Sequence, residues 1–121
     1  MIATNESTPG GDPPERALRG LEFDSDGHLA DPEAWSPAVA EALAARDGVA
    51  LGELHWWLID FTRRHSRDYG MPPLMRVAVR AMREQTSVAD ASSRSLYRLF
   101  PDGPIREACR YGGLPRPESC I

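Results

Sequence analysis

The residues best suited to chemistry are two cysteines near the C-terminus, Cys109 and Cys120 of the 121-residue chain. Ten residues separate them, and only Ile121 follows Cys120. A thiolate is a nucleophile that can exchange disulfides or take up sulfur. A thiol near a chain end can enter a narrow cleft, because only one strand has to follow it. We therefore expect Cys120 to react with a group on another protein.

The last ten residues of the chain, 112–121, are predicted to form an arm that includes Cys120. Gly112 and Gly113 are expected to form its hinge. Pro115 and Pro117 alternate with other residues and favour an extended, semi-rigid strut. Eight such residues would reach roughly 25 Å. The arm is therefore long enough to enter the cleft of a partner.

Cys109 has two interpretations. It shares one side of a predicted helix with Ile105 and Ala108, which is typical of a small buried hydrophobe. It is also close enough along the chain for the arm to fold back, since closing a loop of about a dozen residues costs only a few kcal/mol. In that case Cys109 is a resolving thiol and Cys120 the carrier. We favour the redox pair.

Composition predicts one small globular domain, with 41% hydrophobic and 26% charged residues. The sequence contains neither a run of about 20 apolar residues nor a signal-peptide pattern, so we expect no membrane insertion and a cytoplasmic location. Thiols are kept reduced in that compartment, which favours reactive cysteines over a structural disulfide. The net charge of −4 argues against a general nucleic-acid binder.

The predicted fold class is mainly α: a small helical bundle with an N-terminal β-hairpin and a mobile C-terminal arm. A Pro- and Gly-containing disordered leader is expected over residues 1–15, and the bundle with its hairpin over residues 16–111. The hairpin is predicted over Leu21–Leu29, around the turn sequence Asp24-Ser25-Asp26-Gly27. Helical periodicity predicts five helices, located around residues 37–47, 53–69, 72–84, 93–100 and 104–111. In the third of these, the residues expected to face inward are Leu74, Val77, Ala78 and Ala81.

All 14 basic residues are arginines, and genomic base composition is the simplest explanation. Some could nevertheless form a docking face for an acidic partner or contact an anion. The candidates are Arg76, Arg80, Arg83, Arg110 and Arg116. The three histidines and two cysteines lack metal-ligand spacing, so no metal site is predicted. A helix-turn-helix DNA-binding regulator is an alternative from another class, but the acidic balance and the cysteine-bearing arm argue against it and against a DNA partner.

Several motifs together closely resemble the DsrC/TusE family of sulfur-relay proteins. The resemblance extends over roughly residues 18–121, and its C-terminal motif is specific. The matching C-terminal segments are residues 96–104, 108–109, 113–117 and 120–121. The matching residues before them are Asp26, Gly27, Leu29, Trp35, His55, Trp56, Pro73 and Arg76.

The resemblance implies that Cys120 receives sulfur as a persulfide, handed over by partner proteins, with no bound cofactor. The TusE branch serves tRNA thiolation and lacks the upstream cysteine. The DsrC branch has both cysteines and works with dissimilatory sulfite reductase, near its sirohaem, where the sulfur leaves as a trisulfide between the two cysteines. The partners implied are this reductase, DsrEFH/TusBCD-type sulfurtransferases and a membrane thiol-disulfide reductase complex.

Because Cys109 is present, the expectation is a DsrC-like carrier that acts as a protein co-substrate more than as an enzyme. The alternative is a TusE-like sulfur donor for tRNA 2-thiouridine synthesis, in which Cys109 has no chemical role.

Overall fold

A computed structural model describes residues 14–117 of the chain. The helices are α1 (Pro14–Leu18), α2 (Pro37–Asp47), α3 (Glu53–Tyr69), α4 (Met75–Gln85), α5 (Ser93–Leu99) and α6 (Pro104–Tyr111), with a 3₁₀ turn at Pro32–Ala34 before α2. The predicted leader lies outside the described residues except for its last two positions, which begin α1. The tip of the predicted arm, residues 118–121 with Cys120, also lies outside them.

The N-terminal hairpin is not confirmed as a pair of strands. Residues 14–117 contain no β-strand, and one isolated antiparallel bridge joins Phe23 to Leu29. The turn between them has the predicted chemistry, because the Asp24 carboxylate accepts backbone N–H bonds from Asp26 and His28, both at 2.9 Å. A longer ladder cannot follow, since the 3₁₀ turn begins at Pro32, which has no N–H to donate.

The helix start and stop signals in the sequence predicted most of the helices of the bundle. Helix α3 has the expected bounds, and Gly48 and Gly70 end α2 and α3 in the left-handed conformation, with φ of 75° and 76°. Helix α4 starts at Met75 rather than at Pro72-Pro73. The reason is that Leu74 is extended (φ −70°, ψ 156°) and precedes the first helical residue.

The core lies between α2, α3, α4, α5 and α6, and consists mainly of aliphatic residues with three aromatic rings. Its largest members are Leu43, Leu58, Ile59, Phe61, Met82, Leu96, Phe100, Ile105 and Tyr111. Of the four residues predicted to face inward on α4, the prediction is wrong for two. Ala78 and Ala81 are buried, but Leu74 and Val77 are 48% and 36% exposed. Val79 and Met82 occupy the core instead, so the buried face of α4 consists of residues 78, 79, 81 and 82.

Helix α6 carries the arm and packs against α2, α3 and α5. Its buried face includes Ile105, Ala108 and Cys109, as the spacing predicted. None of the helices between residues 14 and 117 has the length and apolar character that crossing a membrane requires. The bundle therefore presents the C-terminal end of α6, where the arm starts, beside the N-terminal turn.

Candidate functional site

The arm leaves α6 through a Schellman motif. The Leu114 N–H donates to the Cys109 carbonyl at 2.9 Å, and the Gly113 N–H donates to the Arg110 carbonyl at 3.4 Å. Gly113 is left-handed, with φ of 73°. This pair of bonds satisfies the last carbonyls of the helix and turns the chain away from the helix axis. The direction in which the arm departs is therefore set by backbone geometry.

Three side chains bind carbonyl groups at the end of α6 and at the start of the arm. Trp35 Nε1 donates to the Tyr111 carbonyl at 2.8 Å, and Arg63 Nη1 donates to the Gly112 carbonyl at 2.6 Å. His28 Nδ1 lies 2.9 Å from the Leu114 carbonyl, and a carbonyl can only accept, so this nitrogen carries the proton. We call His28, Trp35 and Arg63 the root clamp. Its members come from the N-terminal turn, from the residue after the 3₁₀ turn, and from α3.

The root clamp is itself packed together. The Arg63 guanidinium lies 3.9 Å from the centre of the Trp35 ring, a cation–π contact. Burial lowers the pKa of Arg63 below its ordinary value, but an arginine so shifted still carries its charge at neutral pH. His28 is fully buried. The clamp is thus a preformed set of donors and not a chance surface contact.

Gly112 and Gly113, the predicted hinge, are both buried in this structure. A Cβ on Gly113 would lie 2.6 Å from the Trp35 Cβ, and one on Gly112 would lie 2.7 Å from the Ala108 carbonyl oxygen. The glycines are therefore required here by close approach of the backbone to its neighbours. Their hinge role stays a prediction.

Beyond the clamp, the predicted strut runs along the protein surface. Pro115 and Arg116 are exposed, whereas Pro117 is buried. Arg116 Nη1 lies 3.3 Å from the Asp26 carboxylate in the N-terminal turn. The strut forms one wall of a groove of about 820 Å³, whose other walls are the 3₁₀ turn, the end of α3 and the residues that precede α4. The arm therefore starts at the rim of this groove.

Of the two cysteines, only Cys109 lies within the described residues, and Cys120 lies outside them. Cys109 is fully buried on α6, and burial raises its pKa from 9.0 to about 12. A thiol in this state is neither exposed nor ionised, which supports the packing interpretation for this conformation. The resolving role stays a prediction, and it requires Cys109 to become exposed.

Arg110 takes part in a different network from the one expected. It contacts the carboxylates of Glu107 at 2.8 Å and Asp47 at 2.5 Å, and Asp47 also accepts the Tyr111 hydroxyl at 2.9 Å. Burial opposes ionisation of both charged groups, but these bonds outweigh it: the pKa of Arg110 is raised and that of Asp47 is lowered. Arg110 therefore ties α6 to α2, and its docking role stays a prediction.

The other candidate arginines lie on α4. Arg76 and Arg80 are exposed, and Arg80 pairs with Glu84 at 3.3 Å. The Nε of Arg83 donates to the Ala91 carbonyl at 3.1 Å, so this residue secures the connection from α4 to α5. The three are thus not equivalent, and their docking role stays a prediction for Arg76 and Arg80 in particular.

Two members of the root clamp had no functional interpretation at the sequence level. His28 was one of three scattered histidines, and Arg63 was one of fourteen arginines. Trp35 stands out in the sequence only as a match to the DsrC/TusE family. No local spacing connects the three, because they meet only in the folded chain.

Comparison with known proteins identifies the family. The family model described as "DsrC like protein" matches residues 16–121. The chain belongs to the DsrC-like family. This confirms the resemblance seen in the C-terminal motifs, and the match extends through the bundle to α1.

DsrC-like relatives come from two groups. Sulfurtransferase TusE of Pectobacterium atrosepticum is 40% identical over 103 residues, which cover 85% of this chain and 94% of the relative. Sulfurtransferase TusE of Salmonella typhimurium is 40% identical over 101 residues, covering 84% and 93%. The oxidized gamma-subunit of the dissimilatory sulfite reductase (DsrC) of Archaeoglobus fulgidus is similar in structure, with a TM-score of 0.75 at 39% identity, covering 84% and 92%. DsrC of Allochromatium vinosum gives 0.73 at 37%, covering 84% and 90%.

Proposed function

We propose that this protein is a sulfur-relay protein that carries persulfide sulfur on Cys120. Its membership in the DsrC-like family and its relatives named as sulfurtransferases support the proposal. The observation that carries it is the root clamp, which fixes three carbonyls of the chain just before the segment that bears Cys120. Buried donors of this kind are expected where the direction in which an arm leaves the bundle must be defined. They would serve no purpose in a disordered tail.

The chemistry is a transfer of sulfane sulfur. The Cys120 thiolate attacks the outer sulfur of a persulfide on a donor protein. A bond forms between that sulfur and Cys120, the sulfur–sulfur bond of the donor breaks, and the donor cysteine leaves as a thiolate. The proton of the outer sulfur stays with it or is lost to water. No external oxidant or reductant is required, and Cys120 can pass the sulfur onward by the same step.

Within this function we propose a TusE-like role, as a sulfur donor in tRNA 2-thiouridine synthesis that is loaded by a TusBCD-type sulfurtransferase. This replaces the sulfite reductase role favoured by the sequence. The curated relatives are named Sulfurtransferase TusE, at 38–40% identity. Burial of Cys109 supports the TusE-like role, because a relay that uses Cys120 alone does not require Cys109 to react. This cysteine then serves as a core residue of α6.

A second candidate is a co-substrate of dissimilatory sulfite reductase. Two observations favour it: Cys109 is present, and the similar solved structures are DsrC proteins. In that role, Cys109 has to leave the core and join Cys120 through a trisulfide. The two candidates therefore differ in whether Cys109 has to leave the core and react.

Loading of Cys120 tests the proposal. The purified full-length protein is exposed to a small-molecule persulfide donor, and thiol-blocking gel shifts are combined with mass spectrometry. We expect one added sulfur atom on the C-terminal peptide of the wild type and of Cys109→Ala, and none on that of Cys120→Ala. Equal loading of Cys120→Ala would refute the carrier role.

Complementation separates the two candidates. We expect the wild type and Cys109→Ala to restore 2-thiouridine in tRNA of a Salmonella typhimurium strain that lacks its own TusE, and Cys120→Ala to fail. If the wild type restores nothing and instead gains a trisulfide during turnover of a dissimilatory sulfite reductase, and if Cys109→Ala loses that product, the second candidate is correct.

A further inference from the structure

Large apolar side chains are exposed together at one corner of the bundle. Tyr69 and Met71 are 69% and 59% exposed where α3 ends, and Leu74 and Val77 are exposed where α4 begins. We call these four residues the α3–α4 corner. In residues 16–117, only one other large hydrophobic side chain, that of Tyr97, is comparably exposed. Single exposed apolar residues are ordinary, but such a cluster marks a surface that another molecule covers.

The corner is basic within an acidic protein. Residues 60–83 contain six arginines and two aspartates, a net charge of +4, whereas the whole chain carries −4. Arg67 and Arg80 flank the corner in sequence, with side chains 73% and 78% exposed. Their ion pairs with Asp68 and Glu84 are solvated and contribute little, so these arginines can also interact with carboxylates of a partner.

The corner is continuous with the arm. Met71 and Leu74 line the same groove as the strut, residues 114–117, and Arg67 lines it too. A protein that accepts the arm in its cleft must approach along this groove. It would then cover the corner at the same time.

We propose that the α3–α4 corner is the docking surface for an acidic protein that exchanges sulfur with Cys120. The proposal rests on the relay function proposed above. The apolar side chains favour a protein over a nucleic acid, because they gain by burial against other apolar groups and gain nothing from phosphates. A second copy of this chain is a poor occupant, since a symmetric contact would bring two basic corners together.

Cross-linking tests where the partner sits. The photo-reactive residue p-benzoylphenylalanine replaces Leu74 in the full-length protein, which is expressed in its native cells. In parallel, the partner of the arm is trapped as a mixed disulfide with Cys120 and identified. We expect position 74 to capture that same protein, and the exposed position Glu41 on α2 not to. Capture of RNA, of a second copy, or of nothing while Cys120 still traps its partner would overturn the proposal.

Substitution with glutamate tests whether the α3–α4 corner contributes to partner binding. The partner identified by the Cys120 trap is purified in its free form. Leu74→Glu and Arg67→Glu are expected to raise the KM for loading by this partner about tenfold. The control Arg94→Glu changes the charge by the same amount as Arg67→Glu, at an exposed position of α5, and should leave that KM unchanged. Loading by a small-molecule persulfide donor should stay within about twofold of the wild type for all three, because docking takes no part in it.

The outcomes are separable from failure of the relay function. Normal partner-dependent loading in both corner variants would refute the docking surface and leave the relay intact. Absence of loading of the wild type by both the small-molecule donor and the partner would refute the relay itself. All the substituted residues are exposed, and unchanged unfolding curves will verify that each variant is folded.

Discussion

At the scale of single residues, Cys109 behaves as part of the core. It lies on the buried face of α6 between Ile105 and the end of the helix, and its side chain has no exposed surface. A buried thiol is disfavoured as a thiolate because the charged form loses its hydration. Reactivity at Cys109 therefore requires an opening of α6 or of its contacts.

Alkylation kinetics will measure that opening. In the variant Cys120→Ser, native Cys109 should react with iodoacetamide at least about a thousandfold more slowly than an ordinary thiol, since a pKa raised from 9.0 to about 12 lowers the thiolate fraction by three powers of ten. In denaturing urea the rate should return to the ordinary value. Rapid alkylation of the native protein would instead revive the resolving role.

At the scale of elements, the root clamp joins segments that are remote in sequence. The N-terminal turn, the residue after the 3₁₀ turn and α3 each supply one donor to the segment that runs from the last residue of α6 to Leu114. The N-terminal turn also contacts the strut through Asp26 and Arg116. Although the predicted hairpin is reduced to one bridge, its turn has a defined task, which is to hold the arm.

Alanine substitutions at Gly113 and Gly70 separate the energetic cost of a steric clash from the cost of a left-handed backbone conformation. Both are left-handed, with φ of 73° and 76°, but only Gly113 faces a neighbour, Trp35. Gly70→Ala should therefore measure strain alone, whereas Gly113→Ala adds a steric clash. We expect Gly113→Ala to lower the free energy of unfolding by about 1–3 kcal/mol more than Gly70→Ala does.

Urea denaturation of both variants measures this difference. Equal losses would mean that the Trp35 ring moves aside at no cost, and that the clamp does not constrain the arm. Faster proteolysis within the arm of Gly113→Ala, but not of Gly70→Ala, would be further support.

The sequence predicted elements better than it predicted the site. Apolar residues at helical spacing, with glycines at the ends, placed α3 and α6 correctly, because those signals are local. The start of α4 was missed, since it depends on the extended conformation of Leu74 and not on the prolines before it. The root clamp was beyond reach because its donors approach one another only through tertiary packing. The same is true of the pairing that directs Arg110 toward Asp47.

At the scale of the whole molecule, the pairing of Arg110 with Asp47 links the first half of the bundle to the last helix, α6. Asp47, at the end of α2, accepts bonds from Arg110 and Tyr111 on α6. These bonds lower the pKa of the Asp47 carboxyl in the folded state, although burial alone would raise it. Its contribution to stability is therefore present above the unfolded pKa of about 3.9 and is lost as pH falls through the lower, folded value.

Asp47→Asn will test this linkage. At neutral pH we expect it to lower the free energy of unfolding by about 1–2 kcal/mol, because a charge-assisted bond is lost and Arg110 keeps only Glu107. The difference from the wild type should be constant above about pH 5 and should shrink below about pH 4. Exposed Asp90→Asn is the control and should change little. A difference that persists at low pH would assign the loss to packing instead of charge.

The clamp on the Leu114 carbonyl has a consequence for distance. Cys120 is six residues beyond Leu114, and a fully extended chain spans at most about 3.6 Å per residue, so the two Cα atoms cannot be more than about 22 Å apart. While the clamp holds, the Cα of Cys120 stays within about that distance of the Cα of Leu114. In the relay proposed above, the donor and the acceptor of sulfur must each bring a reactive atom to the Cys120 thiol within this reach. Tethering of this kind raises the local concentration of Cys120 into the millimolar range for a docked partner, and leaves proteins that do not dock at the dilute concentration of the cell.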